Sequence, residues 1–231
     1  MKKYVLIFTA IILTLSCTKK EIGKDVSMTG FVKMITESGT ELFDRQDIKV
    51  TVKGGSASTY TEPNGKFLFS GLNAGTPCGF DISKDGYGTV STGNFSFIGD
   101  EKQGFIGFYT LYQTPTVELL SATLQYLNGA IYITGQITKT NQFRTIFYAN
   151  DSADVSNLHY DYTSSSYGAS GGTYTSFQNG IWIINNTYKP GTTLYIAVYF
   201  INLYDNGYYD PETGAFIHSS SKKAGVLKIT L

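Results

Sequence analysis

Proline and cysteine are scarce in this chain, with five and two residues in 231. So little proline excludes a collagen-like or polyproline architecture. Two cysteines, Cys17 and Cys78, allow one bridge at most, which excludes a small disulfide-stapled scaffold. Histidine occurs only at His159 and His218, and neither has a second histidine three to five residues away, so zinc-site spacing is missing. An excess of charge is missing too. Lys and Arg number 18 against 18 Asp and Glu, leaving no basic field to hold nucleic acid and no polybasic patch for anionic lipid. No apolar run reaches the ~20 residues that a membrane-spanning helix needs, and no stretch carries a helical apolar stripe for three turns.

Tyrosine, phenylalanine and glycine are abundant instead, and apolar residues recur at every second position. Ile48, Val50 and Val52 alternate in this way, as do Phe67 and Phe69, Ile131, Ile133 and Ile137, and Leu194, Ile196, Val198 and Phe200. Turn signals punctuate these runs at Pro63-Asn64-Gly65, Asp85-Gly86, Asn128-Gly129, Asn179-Gly180, Pro190-Gly191 and Asn206-Gly207. Short strands at this spacing predict an all-β chain built as a sandwich or barrel, not a βαβ layout. Gln113-Thr114-Pro115 separates the strand-like run Phe105 to Tyr112 from another beginning at Val117. The expectation is two tandem β-sandwich domains, residues 28–113 and 116–231, following an export signal.

That signal is read from Met1-Lys2-Lys3, the twelve mostly apolar residues Tyr4 to Leu15, and Ser16-Cys17-Thr18-Lys19-Lys20. A basic start and a short apolar stretch suit a secretory peptide. The end of the run resembles the lipobox of bacterial lipoproteins, with Thr14 where that family usually carries Leu. The resemblance implies cleavage after residue 16, acylation of Cys17 and membrane lipid as a partner. Residues 17–27 then form a lipidated tether, and the protein is expected on the outer membrane, with the cell surface and the periplasmic face both open. Cys78 would be left without a partner, and a thiol within Cys78-Gly79-Phe80-Asp81-Ile82 reads as a small buried hydrophobe.

The segment Thr61-Glu62-Pro63-Asn64-Gly65-Lys66-Phe67-Leu68-Phe69, followed by Gly71-Leu72-Asn73-Ala74-Gly75 and Asp85-Gly86-Tyr87, resembles the carboxypeptidase regulatory-like domain. That resemblance implies a seven-stranded, prealbumin-like sandwich with Gly30-Phe31-Val32 in its first strand, acting as a non-catalytic accessory module. After Gly75 the chain departs to Thr76-Pro77-Cys78, and Pro77, which cannot donate to a ladder, predicts a bulge or a late strand start. Further on, Tyr188-Lys189-Pro190-Gly191-Thr192-Thr193-Leu194-Tyr195-Ile196 resembles the turn into the penultimate strand of a fibronectin type III or immunoglobulin-like sandwich, with the corner tyrosine missing or shifted to Tyr195.

Four patterns bear on chemistry. Gly168-Ala169-Ser170-Gly171-Gly172 matches G-x-S-x-G, and Asp205 or Asp210 followed by His218 completes a hydrolase order. A nucleophile elbow, however, works on a strand-to-helix turn, whereas this match sits in a Ser/Gly/Tyr-rich loop, so no catalytic residue, cofactor or enzyme activity is expected. Asp205, Asp210 and Glu212 offer oxygen ligands without EF-hand spacing and read as a solvated hairpin, so no metal is expected. Tyrosines set among Ser, Gly, Asn and Asp, namely Tyr160, Tyr162, Tyr167 and Tyr174 in one loop and Tyr204, Tyr208 and Tyr209 in another, either cap a sandwich end or stack on a ligand. Trp182 reads as core. Asp151-Ser152-Ala153 resembles an O-glycosylation site of exported proteins, with an ordinary turn as the alternative. The expected role is a non-catalytic envelope lipoprotein. Its partner would be a polysaccharide or, in a structural or adhesin-like role, an envelope protein, with nucleic acid excluded.

Overall fold

The computed structural model describes residues 26–73, 75–96, 103–140, 143–167, 174–182 and 188–231. The signal segment, Cys17 and most of the tether lie outside the described residues.

These residues form sixteen strands and no helix, an all-β sandwich-like fold. In the N-terminal half, β1 (Val26–Ile35), β4 (Lys66–Leu72) and β7 (Gln103–Tyr112) make one sheet in the order β4-β1-β7. The facing sheet, β3-β2-β5-β6, uses β2 (Lys49–Val52), β3 (Ser58–Tyr60), β5 (Phe80–Ser83) and β6 (Val90–Ser91). β1 alternates strictly, burying Val26, Met28, Val32 and Met34, and the last three pack with Ile48, Val50, Phe67, Phe69, Phe80 and Ile82. The late start forecast after Pro77 is found: β5 begins at Phe80, and Cys78 makes only an isolated bridge to Phe95. Cys78 is half-buried with its Sγ 4.0 Å from the Met28 sulfur, and burial pushes its thiol pKa up.

In the C-terminal half, β8 (Leu119–Leu127), β9 (Ala130–Thr140) and β12 (Tyr174–Trp182) form a sheet in the order β12-β9-β8. Opposite stands β11-β10-β13-β16, built from β10 (Arg144–Asn150), β11 (Tyr162–Tyr167), β13 (Thr193–Ile201) and β16 (Lys222–Thr230). Between them lie Ile131, Ile133, Ile137, Phe147, Phe177, Ile181, Ile196, Val198 and Phe200. Asn128 and Gly129, both at positive φ, close the β8–β9 hairpin with Leu127 paired to Ala130, the tight two-residue turn that Asn-Gly favours. In the four-stranded sheet the central strands β10 and β13 are buried on both faces, while β11 and β16 at the edges keep exposed positions. Ile146, Tyr148, Tyr199 and Ile201 on its outer face are covered by the 151–161 loop through Val155.

Asn179-Gly180, expected to be a turn, runs instead through the interior of β12, with Asn179 paired to Ile133 and Gly180 to Tyr132. The flanking Phe177 and Ile181 keep the strand's inward period and outweigh the local turn preference of the dipeptide.

Between β13 and β16 a segment of residues 202–221 leaves the sandwich, forms the small hairpin β14 (Tyr208–Tyr209) and β15 (Phe216–Ile217), and lies against the N-terminal half. Asn202, fully buried, donates from Nδ2 to the carbonyls of Thr36 (3.2 Å) and Gln113 (3.1 Å). Lys53 reaches Glu212 at 2.9 Å, and the Ser91 amide donates to the Tyr208 hydroxyl at 3.4 Å. The connection between the halves is itself pinned, because Thr116 donates to Glu37 from its amide and its hydroxyl.

Candidate functional site

The outward face of the β12-β9-β8 sheet carries an open depression of about 250 Å³. Its lining follows from period-two alternation. β9 sends Ile131 and Ile133 into the core and Tyr132 and Thr134 outward, while β8 contributes Thr123, Gln125 and Leu127 and β12 contributes Gln178. Cross-strand pairing sets them in rows: Thr123, Thr134 and Gln178 lie abreast, and Gln125, Tyr132 and Gly180 form the next row. At Gly180 a side chain is missing. A Cβ there would meet Tyr132 Cε1 at 3.6 Å, so one flank of the phenol ring stands clear.

Among the described residues no charged side chain lines this depression. Its polar groups are carboxamides and hydroxyls, which both donate and accept hydrogen bonds, set around an aromatic ring. Such a surface suits a ligand rich in neutral hydroxyls and gives nothing to neutralise a phosphate. These residues were legible in principle as the alternate positions of Ile131-Tyr132-Ile133-Thr134, but the eye is drawn to the loops, where tyrosine is denser.

The loop tyrosines occupy varied settings. Tyr160, 41% exposed, packs its ring on Tyr148 at 4.8 Å, and Tyr148 in turn meets Tyr199 edge-on at 5.3 Å. Burial, with Tyr160 and Tyr199 close by, pushes the Tyr148 hydroxyl up to about 12. Tyr162 lies 5.9 Å from Tyr188, whose hydroxyl donates to Asp161. Tyr167 ends β11 opposite Arg144, and Tyr174 begins β12 opposite Thr140. Tyr204 lies over Gly39, where a Cβ would be 2.3 Å from its ring. Tyr208 is half-buried against Ser91. Tyr209, 73% exposed, meets Phe216 edge-on at 5.1 Å at the tip of the β14–β15 hairpin. The loops therefore scatter their tyrosines: Tyr204 and Tyr208 face the N-terminal half, and Tyr160 seals the outer face of a sheet.

Asp205 and His218 are buried in the 202–221 segment. The Asp205 carboxylate accepts from the Ser220 amide and hydroxyl, both 2.8 Å, and from the Gly207 amide at 2.9 Å, while Arg144 Nη2 reaches the Asp205 carbonyl at 2.7 Å and His218 Nδ1 at 2.9 Å. Burial alone would raise the Asp205 pKa, but His218 and the donors of Ser220 and Gly207 together hold it below the usual carboxylate range. Asp210 caps its own turn by accepting from the amides of Glu212 and Thr213. Among the described residues no group of three His, Cys, Asp or Glu side chains is placed to hold a metal ion. The Gly168–Gly172 match with Ser170 lies outside the described residues, as do Ile183 and Ile184, while Trp182 closes β12 opposite Ala130. Ser152 is half-buried, donating to Asp154 at 2.5 Å and accepting the constraint of Asn150, whose Oδ1 takes its amide proton at 2.8 Å.

No family model matches the chain, and no curated protein matches it. Solved structures do. A candidate carbohydrate-binding protein from Bacteroides uniformis aligns over 90% of this chain and 100% of its own at 14% identity and TM-score 0.36. A DUF3823 family protein from Bacteroides ovatus covers 89% of this chain and 98% of its own at 11% identity and TM-score 0.35. Another of that family, from Parabacteroides merdae, covers 87% and 98% at 13% identity and TM-score 0.31. At these values any functional assignment has to stand on the residues of this chain.

Proposed function

We propose that this protein is a non-catalytic, lipid-anchored envelope protein that binds a neutral glycan on the outward face of β12-β9-β8. The observation that carries the reading is the uncharged depression in which Tyr132, cleared on one side by Gly180, stands among Gln125, Gln178, Thr123 and Thr134. A sugar ring stacks its C–H face on the phenol while its hydroxyls exchange hydrogen bonds with the two carboxamides. The site is formed on paired strands of a packed sheet, so little ordering is needed on binding.

The anchor at Cys17 remains the reading of the N-terminal sequence. The strand orders support the two resemblances drawn there. Three strands face four in each half, and the C-terminal half pairs its first, second and fifth strands in one sheet and its fourth, third, sixth and seventh in the other, leaving aside the β14–β15 hairpin. That order supports the fibronectin type III resemblance. In the same reading Ser152, at the base of the 151–161 loop, is the candidate glycan acceptor.

The test is retention on immobilised neutral polysaccharides. Tyr132→Ala is expected to weaken retention roughly tenfold, equivalent to about 1.4 kcal/mol, with the thermal midpoint nearly unchanged. Tyr208→Ala is expected to leave retention intact and lower the midpoint, because its ring packs between the halves. Retention lost with Tyr208 or Tyr162 and kept without Tyr132 would move the site to the loops. Absence of retention on every glycan would favour a protein partner.

A further inference from the structure

Three phenylalanines stand together on the outer face of the β4-β1-β7 sheet, in the half that lacks the Tyr132 depression. Phe105 is 56% and Phe108 69% exposed, with Phe31 half-buried beside them. Phe31 stacks on Phe108 at 5.5 Å and 21°, and Phe105 meets Phe108 edge-on at 5.3 Å. Leu68, 48% exposed, extends the patch onto β4. The backbone is adapted to produce it. The β1–β7 register shifts between Thr29 and Phe31, where Gly107 at φ 118° supplies an extra residue. Ile106 then turns into the core while Phe105 and Phe108 both face out. Without that bulge, period two would set Phe105 and Phe108 on opposite faces.

Lysines flank the rings. Lys66 is paired with Phe31 across β1–β4, and Lys33 is two residues further along the same face of β1, 3.7 Å from Glu41. β1 begins at Val26, nine residues after Cys17.

We propose that this phenylalanine face is a membrane-docking surface, seated in the headgroup region of an anionic phospholipid bilayer. Size argues against a protein occupant: with ~200 Å² per ring, Phe105 and Phe108 expose about 250 Å², whereas each partner in a stable protein interface gives up about 800 Å². A lipid surface asks only for a few inserted rings with some cation at the headgroups, which Phe31, Phe105 and Phe108 supply with Lys66 and with Lys33, whose charge Glu41 partly answers. Two lysines fall short of a polybasic patch, so the rings carry most of the affinity. Reach agrees. Nine residues span at most about 30 Å, so an anchor at Cys17 holds the first strand of this very sheet close to the bilayer. This last point rests on the lipid anchor proposed above; the rings, the bulge and the lysines do not.

The test uses the chain from residue 18 onward, which has no acyl group, mixed with vesicles of phosphatidylcholine containing phosphatidylglycerol. The protein is expected to co-sediment with these vesicles, less so at high salt or on phosphatidylcholine alone. The triple variant Phe31→Ser, Phe105→Ser, Phe108→Ser is expected to lose about tenfold or more of that partition. Phe108→Trp, which keeps the packing, is expected to gain partition and to shift its emission to the blue on the vesicles. Equal partition of wild type and both variants, no partition at all, or a dimer abolished by the triple variant would overturn the proposal. Mass spectrometry of the native N-terminus tests acylation of Cys17 separately, so failure of the anchor and failure of the docking face are told apart.

Discussion

A methyl group on Gly88 would sit 2.1 Å from the Ser219 carbonyl oxygen and 2.6 Å from the Ser220 amide nitrogen. Both neighbours are backbone, so neither can swing aside as a side chain would. Gly88 therefore marks a place where the two halves can meet only for want of a Cβ. Gly88→Ala is expected to destabilise the protein by about 1–3 kcal/mol, the usual cost of forcing extra volume into a packed contact. In thermal unfolding that is a fall of roughly 2–4 °C per kcal/mol for a chain of this size. Gly180 is the contrasting case. Its Cβ would meet the Tyr132 ring and the Ile131 carbonyl at ordinary contact distance, so Gly180→Ala should leave stability within about 1 kcal/mol while narrowing the flank of the ring and weakening glycan retention.

The 202–221 segment is held by a carboxylate, which makes its attachment dependent on pH. Asp205 is 1% exposed and its folded-state pKa lies below the unfolded value of about 3.9. Its contribution to stability is thus complete above the unfolded value and is lost as pH falls through the folded one. Unfolding by urea at pH 7 and at steps down to pH 2 should show this loss in the wild type. In Asp205→Asn it should be blunted, with a neutral-pH stability already lower by about 1–3 kcal/mol. No sequence pattern foretold this segment. Asp205-Asn206-Gly207 was readable as a turn and Tyr204 and Tyr208 as loop aromatics, but Gly39 under Tyr204, Ser91 beside Tyr208, and Thr36 and Gln113 on Asn202 all lie at least 89 residues away in the chain. The strands were legible because period two is a local signal: Ile131, Ile133 and Ile137, or Leu194 to Phe200, declare their buried face without reference to anything distant. Asn179-Gly180 misled for the same reason in reverse, its local preference being overruled by the core contacts of Phe177 and Ile181 on either side.

The buried cores of the two halves share no residue, one drawn from residues 28–111 and the other from 117–201, so among the described residues the halves are coupled through the 202–221 junction and the Thr116–Glu37 contact. That junction is polar and centred on Asn202. Asn202→Ala would strand the Gln113 carbonyl, at about 1–3 kcal/mol for a buried group left unpaired, while the Thr36 carbonyl keeps the Gly39 amide. Calorimetry should then resolve two unfolding transitions, where the wild type unfolds with its halves coupled. A single transition of unchanged cooperativity in Asn202→Ala would mean that the halves are joined by something other than this contact. The same segment also sets an order in time. It is inserted between β13 and β16, so the surface of the N-terminal half formed by Gly39, Gly88 and Ser91 stays bare until residues 202–221 have been made. Seven strands can close around Phe67 and Phe80 long before that, and the last event of folding is then the docking of one finished sandwich on another.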